Sequence, residues 1–170
     1  GREGEKPMNT VIAFTTRHQC AARVAERLAG MLPEGATLVN LKDGDTAAIW
    51  EADRLILGGS VYIGKTQKEL IRFVEENLER LVSMRPALFL CGAQPDPAEQ
   101  EKELSMNFPP QLLEVARARK MVGYEYDFSR MNFLEKMIIR KVSGCRESVS
   151  CLSGGAMEEL VRAVLEDSPQ

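Results

Sequence analysis

The chain has 170 residues, 44% of them hydrophobic and 28% charged, with a formal charge of −3. That length suits one domain with a full two- or three-layer core. The mild charge argues against a nucleic-acid binder, whose basic residues would cluster, and no apolar run reaches membrane-spanning length.

Residues 1–7, Gly1-Arg2-Glu3-Gly4-Glu5-Lys6-Pro7, lack the apolar core of a secretory signal and read as a disordered leader. A single domain is expected over 8–167. Thr10–Phe14 reads as a short buried strand, Thr15–Cys20 as a six-residue polar turn, and the following stretch as a helix with Val24, Leu28 and Met31 on one face. Leu32-Pro33-Glu34-Gly35 breaks it, and Ala36–Leu41 offers a second strand. After Lys42–Asp45 and a short segment, Asp53–Gly59 is a third strand, apolar without alternation, as when both faces of a sheet are covered. It runs into the Gly-rich stretch 58–65.

A helix is predicted from Thr66 to Val82, with Leu70, Phe73, Val74, Asn77, Leu78 and Leu81 as its buried stripe. Ala87–Gly92 is a fourth strand and Gln94–Pro97 its loop. The polar helix that follows must break or kink at Pro109-Pro110. Met121–Tyr126 reads as a fifth strand, Met131–Val142 as a helix, then a Gly/Ser/Cys loop and a last helix from Ala156 to Leu165. Strand and helix alternating five times predict an α/β fold: a doubly wound, five-stranded parallel sheet with helices on both faces. The five-strand order 2-1-3-4-5 would bring the loops after Phe14, Leu57 and Cys91 together at the switch point between strands one and three.

Where the first strand meets the first helix, unpaired N–H groups and the helix dipole favour an anion. The Thr15 and Thr16 hydroxyls and the Arg17 guanidinium add donors, so the turn suggests a phosphate seat. The alternative is an empty strand-to-helix turn in which a threonine serves only as a cap. Tyr62 could stack on a planar ring or be an ordinary loop aromatic. His18 is the one histidine, and Cys20 two residues on does not face it well. With no Cys-x5-Arg cradle after Cys20, a hydrolase reading is set aside. Cys20, Cys91, Cys145 and Cys151 contain no C-x-x-C pair and read as free thiols, with no metal site expected.

The turn resembles the phosphate loop of flavodoxins, Ser/Thr-x-Thr-Gly-x-Thr, at its first position. Thr15-Thr16-Arg17 is similar to the Ser-Thr-Arg turn of the menaquinone-dependent protoporphyrinogen oxidase branch. Gly58-Gly59-Ser60-Val61-Tyr62-Ile63-Gly64 is similar to that branch's second loop, and Tyr126-Asp127-Phe128, the helix from Met131 to Val142 and Ser143-Gly144 follow its later order. The resemblance, from about Asn9 to Leu165, implies a flavodoxin-like fold holding flavin mononucleotide (FMN). Thr15, Thr16, Arg17, His18, Gln19 and Cys20 would hold the phosphate. Ser60, Val61, Tyr62, Ile63 and Gly64, with Cys91, Gly92, Ala93 and Gln94, would flank the ring. The expectation is a cytoplasmic oxidoreductase passing electrons from a reduced substrate such as protoporphyrinogen to a quinone or a redox protein partner. The basic, apolar late helix could touch the inner membrane face peripherally. No catalytic acid or base is assigned. His18 and Cys20 stand where the family has a glycine and a closing threonine, which leaves an alternative: a degenerate phosphate loop in a binding or regulatory module.

Overall fold

The leucine- and β-branched-rich runs near Thr10–Phe14, Arg54–Ser60 and Ala87–Cys91 become inner strands covered on both faces. The computed structural model describes residues 8–126, 128–143 and 149–166. The expected leader, Cys145, Asp127 and Gly144 lie outside the described residues. Strands β1 (Thr10–Phe14), β2 (Thr37–Asn40), β3 (Arg54–Ser60), β4 (Ala87–Cys91) and β5 (Ala118–Met121) form one parallel sheet in the order 2-1-3-4-5, as predicted.

The period of two along each strand sorts side chains between two cores. Ile12, Phe14, Ile56 and Phe89 pack against α1 (Cys20–Met31) and α8 (Gly154–Leu165), through Val24, Leu28, Leu160 and Val164. Val11, Ala13, Leu55, Leu57, Leu88 and Leu90 face the opposite layer: α2 (Ala47–Trp50), α3 (Lys68–Glu76), α4 (Leu78–Met84), α5 (Pro97–Asn107) and α6 (Pro110–Val115). The break at Pro109-Pro110 falls between α5 and α6 as expected.

Three expectations change. Met31 is exposed at the end of α1 rather than part of its buried stripe. The helix predicted over 66–82 is two, broken at Asn77, whose φ is −126° and whose Nδ2 donates to the Phe73 carbonyl at 2.9 Å, closing α3. The fifth strand predicted over 121–126 ends at Met121. Gly123, at φ 89°, turns the chain out of the sheet, and it packs so tightly against the Cys151 carbonyl that no Cβ would fit. Beyond it, β6 (Gly123–Tyr126) pairs antiparallel with β7 (Val149–Leu152), where the sequence suggested only a loop. Between them in sequence, α7 (Phe133–Ser143) lies against the loops at the carboxyl end of the sheet through Ile139, Phe128, Met131 and Tyr62.

Candidate functional site

The first loop leaves β1 still in register: Thr15 N donates to the Gly58 carbonyl at 3.1 Å. Thr15 Oγ1 is buried with no hydrogen-bond partner, in space that the missing side chain of Gly59 leaves open; a Cβ there would lie 2.9 Å from it. His18 (φ 53°) and Gln19 (φ 69°) are both left-handed, so two residues rather than one occupy the strained region favoured by glycine. The first three amides of α1 are already satisfied. Cys20 N donates to the Arg17 carbonyl at 3.3 Å, Ala21 N to Ser60 Oγ at 3.1 Å, and Ala22 N to Thr16 Oγ1 at 3.2 Å. Among the described residues, the amides of Thr16, Arg17, His18 and Gln19 have no protein acceptor.

Two side chains of the loop converge on one atom. Glu135 Oε2 lies 3.4 Å from an Arg17 terminal nitrogen and 2.8 Å from His18 Nε2, the latter at ion-pair distance without hydrogen-bond alignment. The other oxygen, Oε1, accepts from Asn132 N at 3.2 Å, while Glu135 N donates to Asn132 Oδ1 at 2.8 Å. That reciprocal pair is a capping box at the start of α7, so one carboxylate both starts its helix and fills the turn. The Arg17 guanidinium sits 3.8 Å over the Tyr62 ring, and its Nε is buried without an acceptor.

Ser60 ends β3, so the second loop begins at Val61, whose N donates to the Cys91 carbonyl at 2.8 Å. Gly58 is a packing residue of the strand: the Phe89 ring occupies the place of its side chain. Tyr62 and Lys65 bond each other's backbone across Ile63 and Gly64, both at positive φ, as a tight hairpin turn requires. Asn107 on α5 pins this turn, donating to the Gly64 carbonyl at 3.1 Å and accepting from Thr66 N at 2.8 Å. In the third loop, Gly92 N donates to the Gly123 carbonyl, and the Gln94 carbonyl accepts from Gln100 Nε2 at 2.7 Å.

Two cavities result. One of about 20 Å³ lies among Arg17, His18, Cys20, Ser60, Val61, Tyr62, Cys91, Gly92, Tyr124, Glu125 and Ile139; Glu125 in turn is paired with Arg23 at 2.7 Å. A second of about 120 Å³ is lined by residues 61–64 and 92–95, with Glu103, Ile138 and Ile139. The predicted Val61, Tyr62, Ile63, Gly64, Gly92, Ala93 and Gln94 thus meet in one slot. Arg17, His18, Cys20, Ser60 and Cys91 meet in the smaller space, while Thr15, Thr16 and Gln19 line neither. The sequence reading missed Glu135 and Glu103. Asn132-x-x-Glu135 was legible as a capping box; Glu103 gave no signal. Burial, with Glu99 adding to it, pushes the Glu103 carboxyl up, and its Oε2 is buried without a partner. Among the described residues, no cluster could hold a metal ion, and no helix is long and apolar enough to cross a membrane.

A doubly wound sheet with three loops converging at its switch point defines a ligand-binding α/β domain. The family model described as a flavodoxin domain matches residues 11–149, and the chain belongs to that family. The match is to the flavodoxin domain at large and does not single out the protoporphyrinogen oxidase branch. The sequence matches no curated protein. Among solved structures, the chain is similar to a short-chain flavodoxin associated with a non-canonical PDU bacterial microcompartment, at 12% identity and a TM-score of 0.56, covering 94% of this chain and 97% of that one. A flavodoxin, WrbA-like protein from Agrobacterium tumefaciens shares 17% identity at a TM-score of 0.50, with 94% of each chain covered. Rubredoxin oxygen:oxidoreductase from Desulfovibrio gigas shares 13% identity at a TM-score of 0.50 over 92% of this chain. The chain spans only about a third (34%) of that enzyme. These likenesses establish the fold.

Proposed function

We propose that this domain binds FMN, with the phosphate at the turn between β1 and α1 and the ring in the slot between the second and third loops, and that it works as a redox module. The observation that carries the reading is the convergence of Arg17 and His18 on a single carboxylate oxygen at the sheet's switch point. A guanidinium and an imidazole gathered around an acceptor make a seat for an anion, and the protein's own Glu135 sits in it. A phosphate monoester offers the same charge with more acceptor atoms. Thr15 Oγ1, Arg17 Nε and the amides of residues 16–19 are donors that the carboxylate leaves unserved. The donor set therefore fits the phosphate in sign and number. The phosphate would take the place that Glu135 Oε2 now holds between Arg17 and His18, since the cavity beside them, about 20 Å³, is little more than one water needs.

The bound flavin would supply the electron-transfer chemistry. Arg17 and His18 would hold the phosphate, and Tyr62, freed from beneath Arg17, would offer a flat face to the ring. Glu103 would keep a proton on Oε2 at the edge of the slot more readily than an exposed glutamate. Ile138 and Ile139 would exclude water from it. The electron acceptor we favour is a quinone or a redox protein, and protoporphyrinogen is one candidate donor. Phe133, Leu134 and Met137 are exposed beside Lys136, Arg140 and Lys141 on α7, which supports a peripheral membrane contact of this helix.

One observation favours a second reading, a seat that has lost its cofactor. The first three amides of α1 are all taken by protein atoms, so the helix N-terminus brings no free donor. Titration of the protein with FMN and with riboflavin, followed by flavin fluorescence, separates the two. The FMN reading expects binding of FMN at least about tenfold tighter than riboflavin, the ratio of one good charge-assisted contact. Binding of neither leaves the second reading. In FMN-loaded protein, protoporphyrinogen turnover with a quinone acceptor would support that donor; its absence would leave the general redox reading.

A further inference from the structure

Cys20 opens α1 and Cys91 closes β4, and the register brings them side by side. Cys91 is the strand partner of Ser60, and Ser60 Oγ holds the amide next to Cys20. Both side chains are almost fully buried, at 5% and 2% exposure, and both face the cavity of about 20 Å³. Buried cysteines usually act as small hydrophobes, but this pair is electrostatically unequal. The neighbouring Cys91 side chain brings the Cys20 thiol below its ordinary range in spite of burial; Arg23 favours the ionised form and the Glu125 carboxylate, which lines the same cavity, opposes it. Burial, and then the Cys20 partner, push Cys91 well above that range. A thiol shifted downward at the first turn of a helix, lining one cavity with a second thiol that is shifted upward, has the attributes of an attacking and resolving pair.

We propose that Cys20 and Cys91 form a two-electron dithiol–disulfide site, oxidised by a small hydroperoxide and reset by a dithiol reductant. Cys20, having released its proton to solvent, attacks the terminal oxygen of the hydroperoxide through Sγ. The O–O bond breaks, and the leaving alkoxide takes the Cys91 thiol proton and departs as an alcohol, or as water from hydrogen peroxide. The resulting Cys20 sulfenic acid is attacked by the Cys91 thiolate; the S–S bond forms, and hydroxide leaves as water with a proton from solvent. Two thiols and one hydroperoxide thus become one disulfide, one alcohol and one water. A dithiol reverses the change, returning two electrons and two protons and leaving as its own disulfide. The sulfurs must close to about 2.05 Å, and both side chains already line one small cavity. A cavity of about 20 Å³ exceeds the roughly 10–15 Å³ that one water requires. It admits the O–OH end of a hydroperoxide and excludes a bulky disulfide. The site needs no flavin, but it opens into the same small cavity as the turn assigned to the FMN phosphate, so the test is made on flavin-free protein.

The test uses the full chain with Cys145→Ser and Cys151→Ser, leaving only the buried pair of its four cysteines. The folded protein is treated with one equivalent of hydrogen peroxide, quenched and unfolded, and its thiols are counted by alkylation and peptide mass spectrometry. The expected result is loss of both thiols together, a peptide linked through Cys20 and Cys91, and full recovery with dithiothreitol. Oxidised glutathione should act at least tenfold more slowly. Adding Cys91→Ser should leave a Cys20 sulfenic acid that dimedone traps. Two unreacted thiols, or Cys20 sulfinic acid with no linked peptide, in protein that circular dichroism shows to be folded would overturn the site. Equal rates with glutathione disulfide would overturn the assigned oxidant.

Discussion

The sheet body and the flap of β6, α7 and β7 bury their apolar residues to different degrees. Strands β1 and β4 are buried at every position, whereas α7 leaves Phe133 75% and Leu134 65% exposed. Among the described residues, the flap's buried apolar contacts are those of Phe128, Met131 and Ile139 with Tyr62 and of Leu152 with the α1 layer, supported by the ion pairs of Glu135 and Glu125. A region with few buried apolar contacts opens at far lower free energy than the whole fold. The body therefore sets the stability and the flap sets access, with the candidate site at their seam.

The largest effect expected on stability lies in the body. Phe89 is fully buried with its ring against Gly58, so Phe89→Ala should cost about 3–5 kcal/mol in a denaturant titration. A loss below about 1 kcal/mol would mean the sheet is not the stability core. Next, Glu135→Gln should leave global unfolding within about 1 kcal/mol, since the pairs it makes are partly exposed, yet speed hydrogen exchange along α7. Unchanged exchange there would show that the flap is held by its packing alone.

Glu103 should give a smaller effect with a definite sign. Its folded carboxyl binds its proton more tightly than the unfolded one, so ionisation at neutral pH works against folding. The penalty is absent below the unfolded value and grows as pH rises until the folded value is passed. Glu103→Gln should therefore stabilise at pH 7 by less than about 0.5 kcal/mol, given its exposure, and make no difference near pH 3. The reverse pH trend in thermal melts would contradict the burial argument. Smallest of all, Phe133→Ser should change stability by no more than about 0.5 kcal/mol; a larger loss would mean that the exposed face of α7 is covered in solution.

The body was legible because burial on both faces wrote itself into continuous apolar runs such as Asp53–Gly59, and prolines marked the break between α5 and α6. The flap was not. Met121–Tyr126 carries strand-forming residues throughout, and only the left-handed turn at Gly123 separates a parallel edge strand from an antiparallel ribbon. Its partner, β7, lies across a long insertion that no local pattern announces. The site divided in the same way. Arg17, His18, Tyr62 and the third loop could be placed from strand ends, but Glu135 meets Arg17 across 118 positions. Its capping box, which the sequence reading did not use, marks the helix start and says nothing of where the second oxygen points.

The central claim is that Glu135 occupies a seat built for a phosphate. FMN affinity of the original protein and of Glu135→Gln, measured by fluorescence titration at one ionic strength, tests it directly. Removing the internal anion while keeping its shape should tighten FMN binding about five- to tenfold, roughly 1 kcal/mol, and leave riboflavin unaffected. Equal or weaker FMN binding by the variant would show that the carboxylate supports the loop and does not compete for it.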